Sequence, residues 1–200
     1  ILRRIIASSI LRKSAENELN RQLHFDPLTQ IPNRLFFKKM AELLISKAKR
    51  RKITGAMLFI DLDGFKQIND LYGHECGNYI LTTVSERMQK SLRDSDFIAR
   101  YAGDEFVIYL DYKDGGNDHH DCRLIAEKLI RAVEEPIAYM DFSIKTSLSL
   151  GIAMFPNNGD NYDALINAAD QAMYAAKSQD GEKFIFADTS STTDQELLLN

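Results

Sequence analysis

Asp104 and Glu105 stand side by side in the stretch Arg100-Tyr101-Ala102-Gly103-Asp104-Glu105-Phe106. Residues 96–101 alternate polar with apolar, and 106–110 form a β-prone apolar run, which predicts a hairpin turned by Ala102-Gly103. Neighbours in a strand point to opposite faces, so at most one of two adjacent acids enters the packed side. The other faces water or a cation. Acid pairs at hairpin tips are commonly plain solvated turns, but a second acidic stretch, Phe59-Ile60-Asp61-Leu62-Asp63-Gly64-Phe65-Lys66, argues for more. There the apolar run 56–60 predicts a buried strand ending in Asp61, and a helical pattern opens at Phe65. A carboxylate at a strand end, followed by backbone N–H groups at a helix start, suits a cation and a phosphate together. Asp63 could alternatively cap that helix. A calcium loop is excluded, because Phe65 falls on a ligand position and no Glu stands where one is needed.

The elements that must hold these acids alternate helix with strand. Residues 1–24, free of Gly and Pro, predict an amphipathic stalk helix that needs a partner surface, for which a second copy in a dimer is the favoured candidate. A Pro-punctuated turn around 26–33 leads to a helix over 33–52 with a basic end. A short helix over 65–72, a Gly73-His74 break and a longer helix to residue 92 follow the Asp61 strand. Beyond the hairpin come a polar loop over 114–121, a helix over 121–135, a strand-like stretch over 142–154, a helix over 162–178 and a last strand over 183–187. Residues 188–200 read as a linker-like tail. Together with the tight hairpin, this order predicts an α/β sandwich around a mostly antiparallel sheet.

A chain of 200 residues suits one domain with a full core, and a formal net charge of −4 argues against a nucleic-acid polymer as partner. Cys76 and Cys122 have no ligand-like spacing and suit a reducing, cytoplasmic setting. No stretch is long and apolar enough to span a membrane, although the basic start of the stalk leaves room for a membrane anchor in a longer protein. The start at Ile1 suggests an excised piece. Neither a Walker-type loop nor a dinucleotide fingerprint is present. Tandem His119 and His120 in a Gly-rich loop make a poor metal site.

RYAGDEF, the upstream blocks DPLTQIPNR and FIDLDGFKQINDLYGHECGN, and the downstream blocks SLSLGIAMFP and ADQAMYAAK together resemble the GGDEF family of diguanylate cyclases. The likeness covers residues 24–187, with Ala102 in place of the first glycine of the name-giving motif. It implies a ferredoxin-like core akin to nucleotide-cyclase and polymerase palm domains. It also implies a homodimer that condenses two GTP into cyclic di-GMP and two pyrophosphates with Mg²⁺ or Mn²⁺. By the same resemblance, Asp61, the carbonyl of Leu62, Asp104 and Glu105 hold metal, and Asp104 accepts the 3′-hydroxyl proton with Glu105 as a second essential acid. Backbone N–H groups of Asp63, Gly64 and Phe65, with Lys66 and Lys177, hold phosphates. Asn69, His74 and Asn78 hold base and ribose, and Gly103 lets the hairpin approach the nucleotide.

Arg93 and Asp96 match the family's RxxD site for inhibitory cyclic di-GMP. Three positions depart from the pattern: Ala102, Asn78 where the family has an Asp that pairs with guanine, and Gly181 where a second triphosphate contact would fall. Two readings therefore stand. One is an active cyclase; the other is a catalytically weak module that binds GTP or cyclic di-GMP and regulates a neighbour, such as a downstream phosphodiesterase domain. An upstream sensor is compatible with either.

Overall fold

The computed structural model describes residues 13, 21–112, 118–179 and 181–188. The predicted stalk therefore lies mostly outside the described residues, with only 21–24 of its last part seen as helix, and so does nearly all of the tail. The element order is α1 (Arg34–Arg51), β1 (Gly55–Asp63), α2 (Phe65–Tyr72), α3 (His74–Ser91), β2 (Phe97–Ala102), β3 (Glu105–Asp111), α4 (Asp118–Glu134), β4 (Ile137–Tyr139), β5 (Phe142–Ile144), β6 (Ser147–Phe155), α5 (Tyr162–Ser178) and β7 (Phe184–Phe186). Five strands form one sheet in the order β2-β3-β1-β6-β7, antiparallel except for β7 against β6. The mostly antiparallel sheet expected from the sequence is present.

Strand alternation assigns the two faces. On one, Leu58, Ile60, Phe106, Ile108, Leu110, Leu148, Leu150 and Ile152 join side chains of α2, α3 and α4, including Ile68, Ile80, Val84 and Leu129. On the other, Met57, Phe59, Val107, Tyr109, Ala153 and Phe155 pack against Phe37 and Ile45 of α1 and Leu165 and Met173 of α5. Asn33 caps α1 by accepting the Phe36 N–H at 2.9 Å. Gly151 matters to this second face. A Cβ there would lie 1.9 Å from the Ala169 carbonyl oxygen and 2.2 Å from the Met173 nitrogen, so only glycine lets α5 lie directly on β6.

Three expectations about elements need correction. The stretch 142–154 is not one strand, because β5 pairs with β4 in a separate hairpin and only β6 joins the main sheet. The predicted polar loop ends early, since α4 begins at Asp118 and takes both histidines into helix. His119 rests on the Phe186 ring at 5.0 Å. The start of that loop lies outside the described residues. Finally, the tight turn is Gly103-Asp104 rather than Ala102-Gly103, because Ala102 pairs with Glu105 and a bulge between Arg100 and Ala102 shifts the frame. Gly103 carries the positive φ, +50°, and Ala102 does not.

Candidate active site

Residues two apart on a strand share a face, so the face that carries Met57 and Phe59 ends in Asp61 and Asp63. The same face of β3 begins with Glu105, and that of β6 with Ser147 and Ser149. The apolar layer under α1 and α5 thus becomes polar at one end. The β1–β3 register puts Glu105 directly across from Asp61. Asp104 sits in the turn beside them, and its carbonyl accepts the Leu62 N–H at 3.3 Å. Lys177, on the last turn of α5, reaches Asp61 Oδ1 at 2.5 Å. Its helix is set in place by the Gly151 contact one turn earlier.

The electrostatics follow from this crowding. Burial pushes the Asp104 carboxyl above its usual range, and the neighbouring Asp61 charge pushes it further. Glu105 is raised by burial, then by Asp61, Asp170 and Asp104. Burial alone would lower the Lys177 ammonium, but its hydrogen bond to Asp61 and the acids around it hold it above the usual lysine value. Among the described residues, no three His, Cys, Asp or Glu side chains form a ready-made metal cage, with Asp61 turned to Lys177. The hard oxygens of Asp61, Asp104 and Glu105 nonetheless suit Mg²⁺, which takes only a few ligands from protein.

The alternative reading of Asp63 as a helix cap is not borne out. The cap of α2 is Gly64 at φ +69° with no side-chain hydrogen bond. The strand runs on through Asp63, pairing it with Ser147, because its carboxylate finds donors on β6. Ser147 and Ser149 hydroxyls donate to it at 2.6 and 2.7 Å, and Lys183 Nζ at 2.9 Å. Burial would raise this carboxyl, but those three donors outweigh it and hold it low. Gly64, Phe65 and Lys66 form the bend and first turn of α2 beside it, with Lys66 exposed.

Asn69 lies in the second half of α2, and His74 and Asn78 lie one turn apart at the start of α3. A Cβ on Gly77 would lie 1.9 Å from Asn69 Oδ1, so this glycine lets the Asn69 amide rest against α3 next to exposed Asn78. His74 is the exposed first residue of α3, after Gly73 at φ +85°. Arg93 and Asp96 close the turn between α3 and β2, with the Arg93 N–H donating to Asp96 Oδ2 at 2.9 Å and the Asp96 N–H to the Arg93 carbonyl at 3.0 Å. Burial raises the Asp96 carboxyl despite Arg93. This turn precedes β2 and the hairpin tip follows it, so the two lie about 20 Å apart at roughly 3.3 Å per residue.

Asp26 and Arg100 have a role that their local sequence does not disclose. Arg100 donates to both Asp26 oxygens, at 3.0 and 3.3 Å, and through Nε and Nη2 to the Gly103 carbonyl at 2.8 and 2.7 Å. Thr29 donates to Asp26 through its N–H at 2.8 Å and its hydroxyl at 2.7 Å. The Pro-punctuated turn therefore braces the acidic hairpin through one guanidinium. The acid, hydroxyl and arginine types were visible, but their pairing across 74 residues was not.

The family model described as diguanylate cyclase, GGDEF domain, matches residues 23–183. The chain is 37% identical over 186 residues to the bifunctional diguanylate cyclase/cyclic di-GMP phosphodiesterase MucR of Pseudomonas aeruginosa, covering 93% of this chain and 26% of that protein. It is 41% identical over 162 residues to the diguanylate cyclase TpbB of the same species, covering 80% of this chain and 37% of TpbB. The chain thus spans well under half the length of these relatives. The solved GGDEF domain of TpbB superposes with a TM-score of 0.78 at 38% identity, covering 83% of this chain and 95% of that one. The chain belongs to the GGDEF domain family of diguanylate cyclases.

Proposed function

We propose that this domain condenses two GTP molecules into cyclic di-GMP, in a homodimer whose halves each present one nucleotide. The observation that carries the reading is the convergence of Asp61, Asp104 and Glu105 on one strand end beside Lys177. In each of the two steps, the 3′-hydroxyl oxygen of one GTP bonds to the α-phosphorus of the other. The bond from that phosphorus to the bridging oxygen breaks, pyrophosphate leaves, and the hydroxyl proton passes to Asp104. Burial and the Asp61 charge make Asp104 a better proton acceptor than a solvated aspartate. Asp61, the Leu62 carbonyl, Asp104 and Glu105 would hold Mg²⁺ or Mn²⁺. Such an ion, when bound, stabilises charge on the phosphoryl oxygens and makes the hydroxyl more acidic.

Lys177 has a second task under this reading. It neutralises Asp61 in the free domain and turns to the triphosphate when nucleotide and metal arrive together. The N–H groups from Asp63 to Phe65, with Lys66, hold the phosphates, while Asn69, His74 and Asn78 hold base and ribose. Arg93 and Asp96 bind product at a distance from the acids and restrain the reaction. The domain extends over residues 25–187, with 1–24 as a dimerising stalk, 188–200 as a linker and a cytoplasmic location. MucR, as a bifunctional relative, supports a phosphodiesterase domain in the longer protein.

The departures at Asn78 and Gly181 favour a second reading, a GTP- or cyclic di-GMP-binding module with little catalysis. Incubation with GTP and Mg²⁺ or Mn²⁺, with nucleotides resolved by mass, separates the two. Cyclic di-GMP whose rate rises faster than linearly with protein concentration is the expected result. Intact GTP in a sample that binds GTP would establish the second reading instead.

A further inference from the structure

Both oxygens of the Asp63 carboxylate are engaged, by donors from two other parts of the sheet. Ser149 Oγ donates to Oδ1, while Ser147 Oγ and Lys183 Nζ donate to Oδ2. Lys183 also donates to Ser147 Oγ at 3.1 Å, which closes the network. Its backbone carbonyl accepts the Leu150 N–H at 2.9 Å, so the residue is anchored to β6 at both ends. Lys183 lies six positions after Lys177, beyond Gly181 at φ +98°. The chain leaving α5 thus returns to the same strand end that Lys177 touches.

What flanks Asp63 gives the network its meaning. Asp61 and Leu62 precede it, and the left-handed bend at Gly64 and the first turn of α2 follow. No side chain caps that helix, so its first turn is held by the strand end before it and by Phe65 and Ile68 packed on the core. Building on the cyclase reading, we propose that Asp63 is a positioning residue, clamped by Ser147, Ser149 and Lys183, which fixes Asp61 and the 62–65 backbone in the geometry the reaction needs. Lys183 completes the clamp and does not replace the cation missing at Gly181. With its charge matched by Asp63, it leaves Lys177 as the lysine that exchanges between Asp61 and phosphate.

The test compares Lys183→Met, Lys183→Arg and Asp63→Asn with wild type for kcat, KM for GTP and the Mg²⁺ concentration giving half activity. Loss of groups that orient metal-binding residues typically costs about 10- to 100-fold. Lys183→Met and Asp63→Asn are therefore expected to lose at least about ten-fold in kcat and to need more Mg²⁺, with any rise in KM smaller than the fall in kcat. Lys183→Arg should restore most of the rate. A rise in KM at unchanged kcat would make Lys183 a substrate contact and overturn the proposal. A lower melting temperature with unchanged kinetics would overturn it too. If Lys183→Met does not fold, Ser149→Ala removes a single donor and carries the same test with a smaller fall in kcat. If wild type yields no cyclic di-GMP, the cyclase reading fails by itself. The clamp is then judged by Mg²⁺-dependent GTP affinity: a weaker metal dependence in Lys183→Met supports it, and an unchanged one defeats it.

Discussion

Asp61 and Asp63 lie two residues apart on one face of β1, and each meets a lysine, yet their surroundings differ. Asp63 accepts two serine hydroxyls besides Lys183, and all its donors come from β6 or the chain just before β7. Asp61 has Lys177 on one side and Glu105 across the strand, a like charge directly opposite, which is unfavourable unless a cation intervenes. Sheet geometry gave both acids the same face. Their neighbours made one a fixed anchor and left the other with unspent negative charge. Buried carboxylates with matched donors build structure, and carboxylates crowded by other carboxylates are where function is to be sought.

The contrast is broken most severely at the crowded acids. Asp104→Asn should lower cyclic di-GMP formation by on the order of 10²-fold or more, since a positioned acid or base contributes about that much. Its melting temperature without nucleotide should stay level or rise slightly, because a like charge beside Asp61 is removed. Wild-type turnover in this variant would refute the assignment. Next in size is Lys177→Met. Losing a charge-assisted bond of about 1.5–3 kcal/mol should weaken GTP binding by roughly 10- to 100-fold. Mg²⁺ alone should bind more tightly, because Asp61 no longer carries an internal cation. Calorimetric titrations with metal and with nucleotide check both halves.

Asn78→Asp sharpens the comparison at the other end of the nucleotide. Guanine offers two adjacent donors, and a carboxylate accepts both where an amide accepts one. The gain is about 1–2 kcal/mol, or roughly ten-fold tighter GTP with ATP disfavoured, read by competition binding. No change in either affinity would remove residue 78 from base recognition.

Asp26 supplies a pH test away from the reacting acids. Burial would raise it, but the Thr29 N–H and hydroxyl and Arg100 hold it below its ordinary 3.8. A carboxyl lowered by folding stabilises above its unfolded value, and that share is lost as pH falls through the folded one. Asp26→Asn should therefore cost about 1–3 kcal/mol at neutral pH, with the gap to wild type closing below pH 3.8 in denaturant melts. A gap that does not close with pH would show that the ion pair contributes nothing. The smallest effect belongs to Ala102→Gly. Ala102 already has a negative φ, so glycine relieves no strain and should cost a few tenths to about 1 kcal/mol in chain entropy. A stabilised variant would contradict the turn as described.

Much of this was legible in the sequence because it depends on neighbours along the chain. The apolar run ending in Asp61, the helix opening at Phe65 and the hairpin around Gly103 are local patterns, and the structure contains them. What escaped depends on distant partners. Whether Asp63 caps a helix or extends a strand is decided by Ser147 and Ser149, 84 and 86 residues away. The hairpin frame is decided by the bulge between Arg100 and Ala102, where Arg100 also turns back to Asp26 and the Gly103 carbonyl. The break before β6 arises because β5 has β4 as its partner, a pairing that the apolar periodicity of 142–154 could not reveal.

The most direct measurement of the central claim is electron paramagnetic resonance of Mn²⁺ titrated into the domain in the presence of GTP. The crowded-acid account expects nucleotide-dependent Mn²⁺ binding in wild type, its loss in Asp61→Asn, and its retention in Asp96→Asn, whose carboxylate lies beyond the far end of β2. Equal Mn²⁺ binding by wild type and Asp61→Asn would contradict the claim that this strand end holds the metal.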